Sequence, residues 1–342
     1  MSWKERQTLT VLSTILAVLF AILLIVLGIR YRETRAELEA LNKPVVKEEI
    51  VVEDSVYFSG LTYHNGKTTL TFSLNEEGKW IWADDPTFPL NDSTVLSILG
   101  VLTDWHPRYT LDDEEAYKGA ELYRPTGTLT ATTSEGTVVT LLFGKPTDDG
   151  TSHYVRVNNE ENRVHVVDDS VYNLLCVPIY DMMDLPELPA MAEESLISIL
   201  VQGPAPMTML TAHRTEGASA TSWRWSGEDV TRELLVRNLV SELQRLAPDK
   251  CVLYRPSEAA VSICGFDTPA ATVDVTYAEE GEPHVLKLTV GAKLPDGSGY
   301  YVRLNEDSTI YRVPAAPLET TLSLAFNGFV GAMELASISD NP

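Results

Sequence analysis

Hydrophobic and polar positions change rhythm along the chain. From Leu9 to Ile29 the run "LTVLSTILAVLFAILLIVLGI" carries no charge, and it is about as long as the roughly 20 residues a bilayer-spanning helix needs. Arg30, Tyr31 and Arg32 follow directly, with no small-residue cleavage site, so the run predicts a retained signal anchor. The tract "YRETRAELEALNKP" continues it as a short exposed helix that Pro44 stops. Further on, apolar residues alternate with polar ones in short stretches, the period of half-buried strands. Two stretches lengthen the period: "NDSTVLSILGVLTDW", and "GEDVTRELLVRNLVSELQRL" with Leu234, Leu235, Leu239, Leu243 and Leu246 at near-helical spacing. Each predicts a helix covering one face of a sheet.

The same order of signals occurs twice. "EDSVYFSGL" is answered by "EESLISILV", Trp80-x-Trp82 by Trp223-x-Trp225, and the strand ending on Gly144 by the one ending on Gly291. "YVRVN" at 154–158 returns as "YVRLN" at 301–305. Such a repeat predicts two units of one architecture. In the repeated strand Val155 and Val157, like Val302 and Leu304, suit a core face, which leaves Tyr154 and Arg156, like Tyr301 and Arg303, on the other. Closing the hairpins places Arg156 across from His165 and Arg303 across from Tyr311. These six residues form a candidate interaction surface, because exposed aromatics and arginines are what interfaces favour. The alternative is a purely structural cross-strand pairing.

The expected fold class is α+β: a transmembrane helix followed by two tandem repeats, each an antiparallel sheet packed with a helix. The expected division is a cytoplasmic N-terminus at 1–8, the transmembrane helix at 9–29, a juxtamembrane helix and linker at 30–52, repeats at 53–190 and 191–330, and a tail at 331–342. The bulk of the chain is expected outside the cytoplasm, although the basic residues flanking the anchor barely decide its orientation.

Composition narrows the functional classes. Against 26 Lys+Arg stand 49 Asp+Glu, a formal charge of -23, which repels the nucleic-acid backbone. Three cysteines, Cys176, Cys251 and Cys264, are too few for a disulfide scaffold; one Cys251–Cys264 bridge fits the count, and three unpaired buried thiols fit it better. No nucleophile elbow, phosphate-binding loop, dinucleotide glycine pattern or His-Glu-x-x-His helix occurs, and no cofactor or metal is expected. His153 and His165 share a hairpin but point to opposite faces by the alternation, which disfavours a two-histidine metal site. Acidic pairs such as Asp84-Asp85, Asp112-Asp113, Asp148-Asp149 and Asp168-Asp169 could serve a glycosidase or hold calcium. They suit helix starts and turns better. Trp80, Trp82, Trp223 and Trp225 are candidates for stacking on a ligand, with packing into the core the commoner use of such residues.

The Trp-bearing strand, helix, "GFDTP" connector (265–269), "LTVG" strand, and hairpin from "YVRLN" to "IYRV" resemble the bacterial family of domain of unknown function 4340 (DUF4340). The first copy departs from the pattern with Glu121 where the pattern has glycine, so that connector is expected to be shaped differently. The resemblance implies a membrane-anchored extracytoplasmic protein, with an ABC-transporter component among the partners. It carries over no catalytic residue. The leading expectation is therefore a non-enzymatic binding or scaffolding protein, held in lipid through residues 9–29, with an envelope or ABC-transporter protein as partner. An envelope glycan or other ligand binder comes second, and a carboxylate-dependent envelope hydrolase third.

Overall fold

A computed structural model describes residues 57–158, 160–214 and 221–339. The apolar run at 9–29 and the segment at 30–52 lie outside the described residues. Two compact units are formed, one from the described residues up to Phe88 together with Asp92–Val177, the other from Pro89–Asn91 and the chain from Pro178 onward. The division thus falls at Val177/Pro178, ahead of the expected boundary at 190/191. The 3-10 turn Ile179–Met182 explains this: Met182 accepts a bond from the Asn91 amide at 2.8 Å, and Asp181 pairs with Lys250 at 2.8 Å, all within the second unit.

The first unit runs β1 (Phe58–His64), β2 (Thr69–Leu74), β3 (Trp80–Trp82), α1 (Ser93–Thr103), β4 (Tyr109–Leu111), α2 (Glu114–Gly119), β5 (Gly127–Thr133), β6 (Val138–Pro146), β7 (Ser152–Val157), β8 (Val164–Asp168) and α3 (Asp169–Leu175). Its strands form one antiparallel sheet in the order β3-β2-β1-β5-β6-β7-β8-β4. The second unit runs β9 (Leu196–Gln202), β10 (Thr208–His213), β11 (Ser222–Trp225), β12 (Glu228–Asp229), α4 (Leu234–Gln244), β13 (Lys250–Leu253), α5 (Glu258–Ile263), β14 (Ala271–Glu279), β15 (Glu282–Lys293), β16 (Gly299–Leu304), β17 (Ile310–Pro314) and α6 (Glu319–Ser339). Its order, β12-β11-β10-β9-β14-β15-β16-β17-β13, is that of the first sheet with one added edge strand.

Alternation dictates the core of each unit. On β1, Phe58, Leu61 and Tyr63 turn inward, and on β9 the corresponding Leu196, Ile199 and Val201 do the same, both strands skipping one position through an irregular pairing. In the first unit α1 buries Val95, Ile98, Leu99 and Leu102 and packs with α3. In the second, α4 buries Leu235, Leu239 and Leu243 against α6. Full burial of such a side chain is worth about 1.5–3 kcal/mol.

α6 is the main element the sequence does not reveal, and it runs through 331–339, where a tail is expected. Gly328 (φ 67°, ψ 179°) breaks it. The break leaves the Ala325 carbonyl to the amide of Ala205, which donates at 2.9 Å, so the interruption is satisfied by the sheet side of the unit. Among the described residues, Ala316–Ile338 is the one helix long and apolar enough to cross a membrane, at mean hydropathy 1.3. Leu322, Leu324, Ala325, Phe329 and Ala332 of this stretch are buried in the second unit, and a core helix meets the same criteria of length and composition.

The repeated "YVR-x-N" owes its last residue to the backbone. Asn158 and Asn305 take left-handed conformations, φ 48° and 52°, which asparagine tolerates better than other non-glycine residues. The amide of each donates to the neighbouring strand, to Thr140 O at 2.7 Å and Lys287 O at 2.8 Å. Each side chain accepts from the same residue's amide, at 2.9 and 3.0 Å. The asparagine therefore locks the end of the strand to its neighbour.

The two connectors also match. Glu121 adopts φ 56° where Gly265 adopts 83°, so the expected difference in shape does not arise. Each connector lies hard against a strand glycine: a Cβ on Gly144 would meet Ala120 O at 2.1 Å, and one on Gly291 would meet Cys264 O at 2.3 Å.

Candidate functional site

The hairpins β7–β8 and β16–β17 correct the expected register by one residue. Val155 lies opposite His165, and Val302 opposite Tyr311. Opposed residues on antiparallel strands share a face, so His165 and Tyr311 join the core with Val155 and Val302, leaving Tyr154, Arg156, Tyr301 and Arg303 on the other face. His165 is 3% exposed and Tyr311 4%; neither contributes to a surface. Nδ1 of His165 is 3.0 Å from Thr110 Oγ1, and Nε2 is 2.9 Å from Glu160 Oε2. In the second unit the Tyr311 hydroxyl donates to Asp307 at 2.7 Å. Burial and this bond push the Tyr311 phenol above its ordinary value. Burial works against the Asp307 carboxylate, but bonds from the Thr309 amide and from Tyr311 outweigh it and hold the group low.

His153 shares the inward face with His165, contrary to the expected opposition, since it pairs with Val167 in the same register. Its ring stacks on Tyr172 at 4.3 Å, and Asp169 lies 2.8 Å from Nδ1 at an angle that makes no hydrogen bond. Burial lowers its basicity despite the Asp169 charge. Among the described residues no three His, Cys, Asp or Glu side chains gather as a metal site would need. The three cysteines are unbridged, Cys251 and Cys264 buried and Cys176 exposed.

On the outer face, Arg156 Nη1 donates to the Tyr117 hydroxyl at 2.5 Å, while Tyr154 packs on Ala120, Leu122 and Val164. Arg303 lies over the Phe266 ring at 5.7 Å, and Tyr301 is half-buried. The connectors after α2 and α5 thus cover much of the repeated Tyr/Arg face. The tryptophans are likewise engaged within their units. Trp80 is buried; Trp82 meets Phe88 edge-on at 5.5 Å. Trp223, 1% exposed, donates to Glu193 at 3.1 Å, and Trp225 stacks on Phe329 of α6 at 4.4 Å.

An open cleft remains in the first unit, with a volume of about 690 Å³, lined by Arg108, Tyr109, Thr147, Asp148, Asp149, Ser152 and Tyr154. The Asp149-Gly150 turn before β7 supplies one wall, and the start of β4 the other. Asp149 accepts from the Thr147 hydroxyl at 2.6 Å, the Thr151 amide at 3.0 Å and the Thr151 hydroxyl at 2.9 Å. These bonds hold its carboxyl down at about 2. Arg108 donates to Thr151 at 3.0 Å and to Asp168 at 2.5 Å. The Ser170 amide, with Arg108 behind it, holds Asp168 at about 2 as well. Sequence reasoning reached only Tyr154 and, as turn-formers, the acidic pairs. Arg108 and Ser152 lie too far apart in the chain for any spacing rule. The one local signal is the density of hydroxyls around Asp149 in "PTDDGTS".

Other acidic pairs act locally. Asp113 accepts from the Ala116 amide at the start of α2, and Asp168 from the Ser170 amide at the start of α3, both helix-capping contacts. A family model described as Domain of unknown function (DUF4340) matches residues 80–185 and 231–331, together more than half of the chain and one match in each repeat. No curated protein and no solved structure matches. With the same sheet order built twice and the family's pattern in both copies, the chain belongs to the DUF4340 family, as two tandem copies of its domain.

Proposed function

We propose that the chain is a non-enzymatic binding or scaffolding protein, held in a membrane by residues 9–29 with its two modules outside the cytoplasm, and that it serves an envelope complex such as an ABC transporter. The supporting observation is that the distinctive side chains of both modules are spent on their own units. Trp223 and Trp225 are bonded and stacked within the fold, and His165 and Tyr311 are tied to loop carboxylates. What such a chain offers a partner is a pair of rigid sheet modules on an apolar tether. Capture of the full-length protein from native membranes, with mass spectrometry of what accompanies it, tests this; recovery of the protein alone would count against it.

The open cleft supports a second reading, a binder of an envelope ligand, since its volume falls within the roughly 300–1,000 Å³ usual for ligand sites. It gives the hydrolase reading little support. A general acid must hold a proton near the working pH, and Asp149 and Asp168 stay ionised down to about 2.

A further inference from the structure

The cleft of the first unit has a counterpart in the second, and there a stretch of chain lies against it. The backbone aligns the two places. Thr147 N donates to Ser152 O at 2.8 Å as Leu294 N does to Gly299 O at 2.9 Å, and Arg108 N donates to Val166 O at 2.7 Å as Asp249 N does to Arg312 O at 3.0 Å. Asp149 and Asp296 thus hold one turn position. Each accepts from the residue two further on, Asp149 from the amide and hydroxyl of Thr151 and Asp296 from those of Ser298 at 3.0 and 2.8 Å. Tyr109 on β4 and Lys250 on β13 also hold one position, since each directly precedes the residue paired with His165 or Tyr311.

Within the second unit the 3-10 turn Ile179–Met182 packs on β13. Asp181 pairs with Lys250 at 2.8 Å. Its charge also reaches Arg312, which Asp249 binds at 2.7 and 2.9 Å and Asp296 flanks. An acidic segment therefore covers a basic edge. Asp181 stands 15 residues ahead of Leu196, the first inward residue of β9, so the unit covers this place with the chain that leads into its own first strand.

In the first unit the place is open and the sign is reversed. Asp148 and Asp149 line the cleft, and its one guanidinium, Arg108, is engaged by Asp168 at 2.5 Å. Asp148 is exposed and engages no partner among the described residues. An opening with more carboxylates than cations favours a cationic occupant. The residue 15 ahead of Phe58, the first inward residue of β1, is Lys43, and the stretch 41–47, "LNKPVVK", holds two lysines and no acid in a chain of formal charge -23. This stretch lies outside the described residues. We propose that residues 41–47 dock in the cleft of the first unit, with Lys43 and Lys47 against Asp148 and Asp149, as Ile179–Met182 docks on β13. The second unit spans the same distance with the same length of chain. Only residues 30–40 then separate the docked stretch from the apolar run at 9–29, and a free ligand of the cleft has to displace the chain's own lysines. The contact needs residues 41–47 alone and does not depend on the membrane reading.

The test treats the full-length protein in mild detergent with a water-soluble carbodiimide, which joins a lysine amine to an adjacent carboxylate as an amide and takes up the released water as a urea. Mass spectrometry then identifies the linked peptides. A link from Lys43 or Lys47 to Asp148 or Asp149 is expected, formed within one chain when isotopically light and heavy copies are mixed. Hydrogen exchange gives a second readout: Lys43→Glu with Lys47→Glu should speed exchange of the turn between Thr147 and Ser152 by about threefold to tenfold, the worth of two such ion pairs. Adding Asp148→Lys to that variant should restore most of the protection. No link from 41–47 to the turn, links only between light and heavy copies, or exchange at the turn unchanged by the lysine substitutions would overturn the proposal. Recovery of the chain alone from membranes would count against scaffolding and leave this contact standing, and a missing link would leave scaffolding standing.

Discussion

Nε2 of His165 sits 2.9 Å from the Glu160 carboxylate, at the place where the second repeat sets Tyr311 against Asp307 at 2.7 Å. Both repeats thus bury a polar aromatic beside the hairpin and tie it to an acid from the hairpin loop. Replacement by a group that cannot bond leaves the loop acid without its partner. Tyr311→Phe is expected to cost about 1 kcal/mol, and His165→Phe about 1–3 kcal/mol because it also strands Thr110. Hydrogen exchange across β16–β17 and β7–β8, respectively, reads the loss as faster exchange confined to the altered unit.

Alkaline pH should weaken both units. Burial raises the Tyr63 and Tyr311 phenols and pushes the Cys251 thiol up to about 12. A group whose pKa is raised by folding stabilises fully below its unfolded value and loses that contribution as pH climbs toward the folded one. Stability should therefore fall from about pH 8.5, where an unfolded thiol begins to ionise, and further above about pH 10, where unfolded phenols do. Thermal melts of Tyr311→Phe should lose less between about pH 10 and about pH 11 than melts of the natural sequence.

Glu242, 6% exposed, anchors the start of α6. It accepts from the Thr320 amide at 2.9 Å and from its hydroxyl at 2.6 Å. Burial raises its pKa in spite of those bonds. Glu242→Ala should cost about 1–3 kcal/mol by leaving the Thr320 groups unsatisfied. The raised value gives the pH dependence its sign: the natural residue's advantage over Glu242→Gln should be greatest in acid and shrink as pH rises through the folded pKa. Urea titrations of both proteins across that range would measure it.

The left-handed positions can be ranked. Asn158→Ala and Asn305→Ala lose both the strand-locking bond and the residue that tolerates the conformation, at about 1–2 kcal/mol each. Asn→Gly at either site should recover the conformational part only. At the matched connectors the signs oppose. Glu121→Gly relieves strain and should stabilise by up to about 1 kcal/mol, whereas Gly265→Ala would place a Cβ 2.8 Å from the Ala292 amide nitrogen and should destabilise. Melting temperatures of the six variants test the ranking.

The doubling of one α+β, antiparallel-sheet architecture was legible in the sequence because alternation and the repeated "YVR" strand survive in both copies. The pairing of His165 and Tyr311 was not. Register is fixed by the conformation of the hairpin loop, here set by Asn158 and Asn162 in the first copy and Asn305 in the second, and a slip of one residue exchanges the faces. α6 was hidden by its interruption at Gly328 and by a composition that reads equally as a membrane span. The cleft was hidden because Arg108, Thr147 and Ser152 meet only once β4 has paired with β8 and β8 with β7.

The claim that the chain works as a membrane-held binding subunit is tested most directly by solubilising the full-length protein from its native membranes in mild detergent, capturing it by a carboxyl-terminal tag and quantifying what comes with it. An envelope or transporter protein recovered in fixed proportion is the outcome the proposal expects. Recovery of the chain alone, or from the soluble fraction, would contradict it.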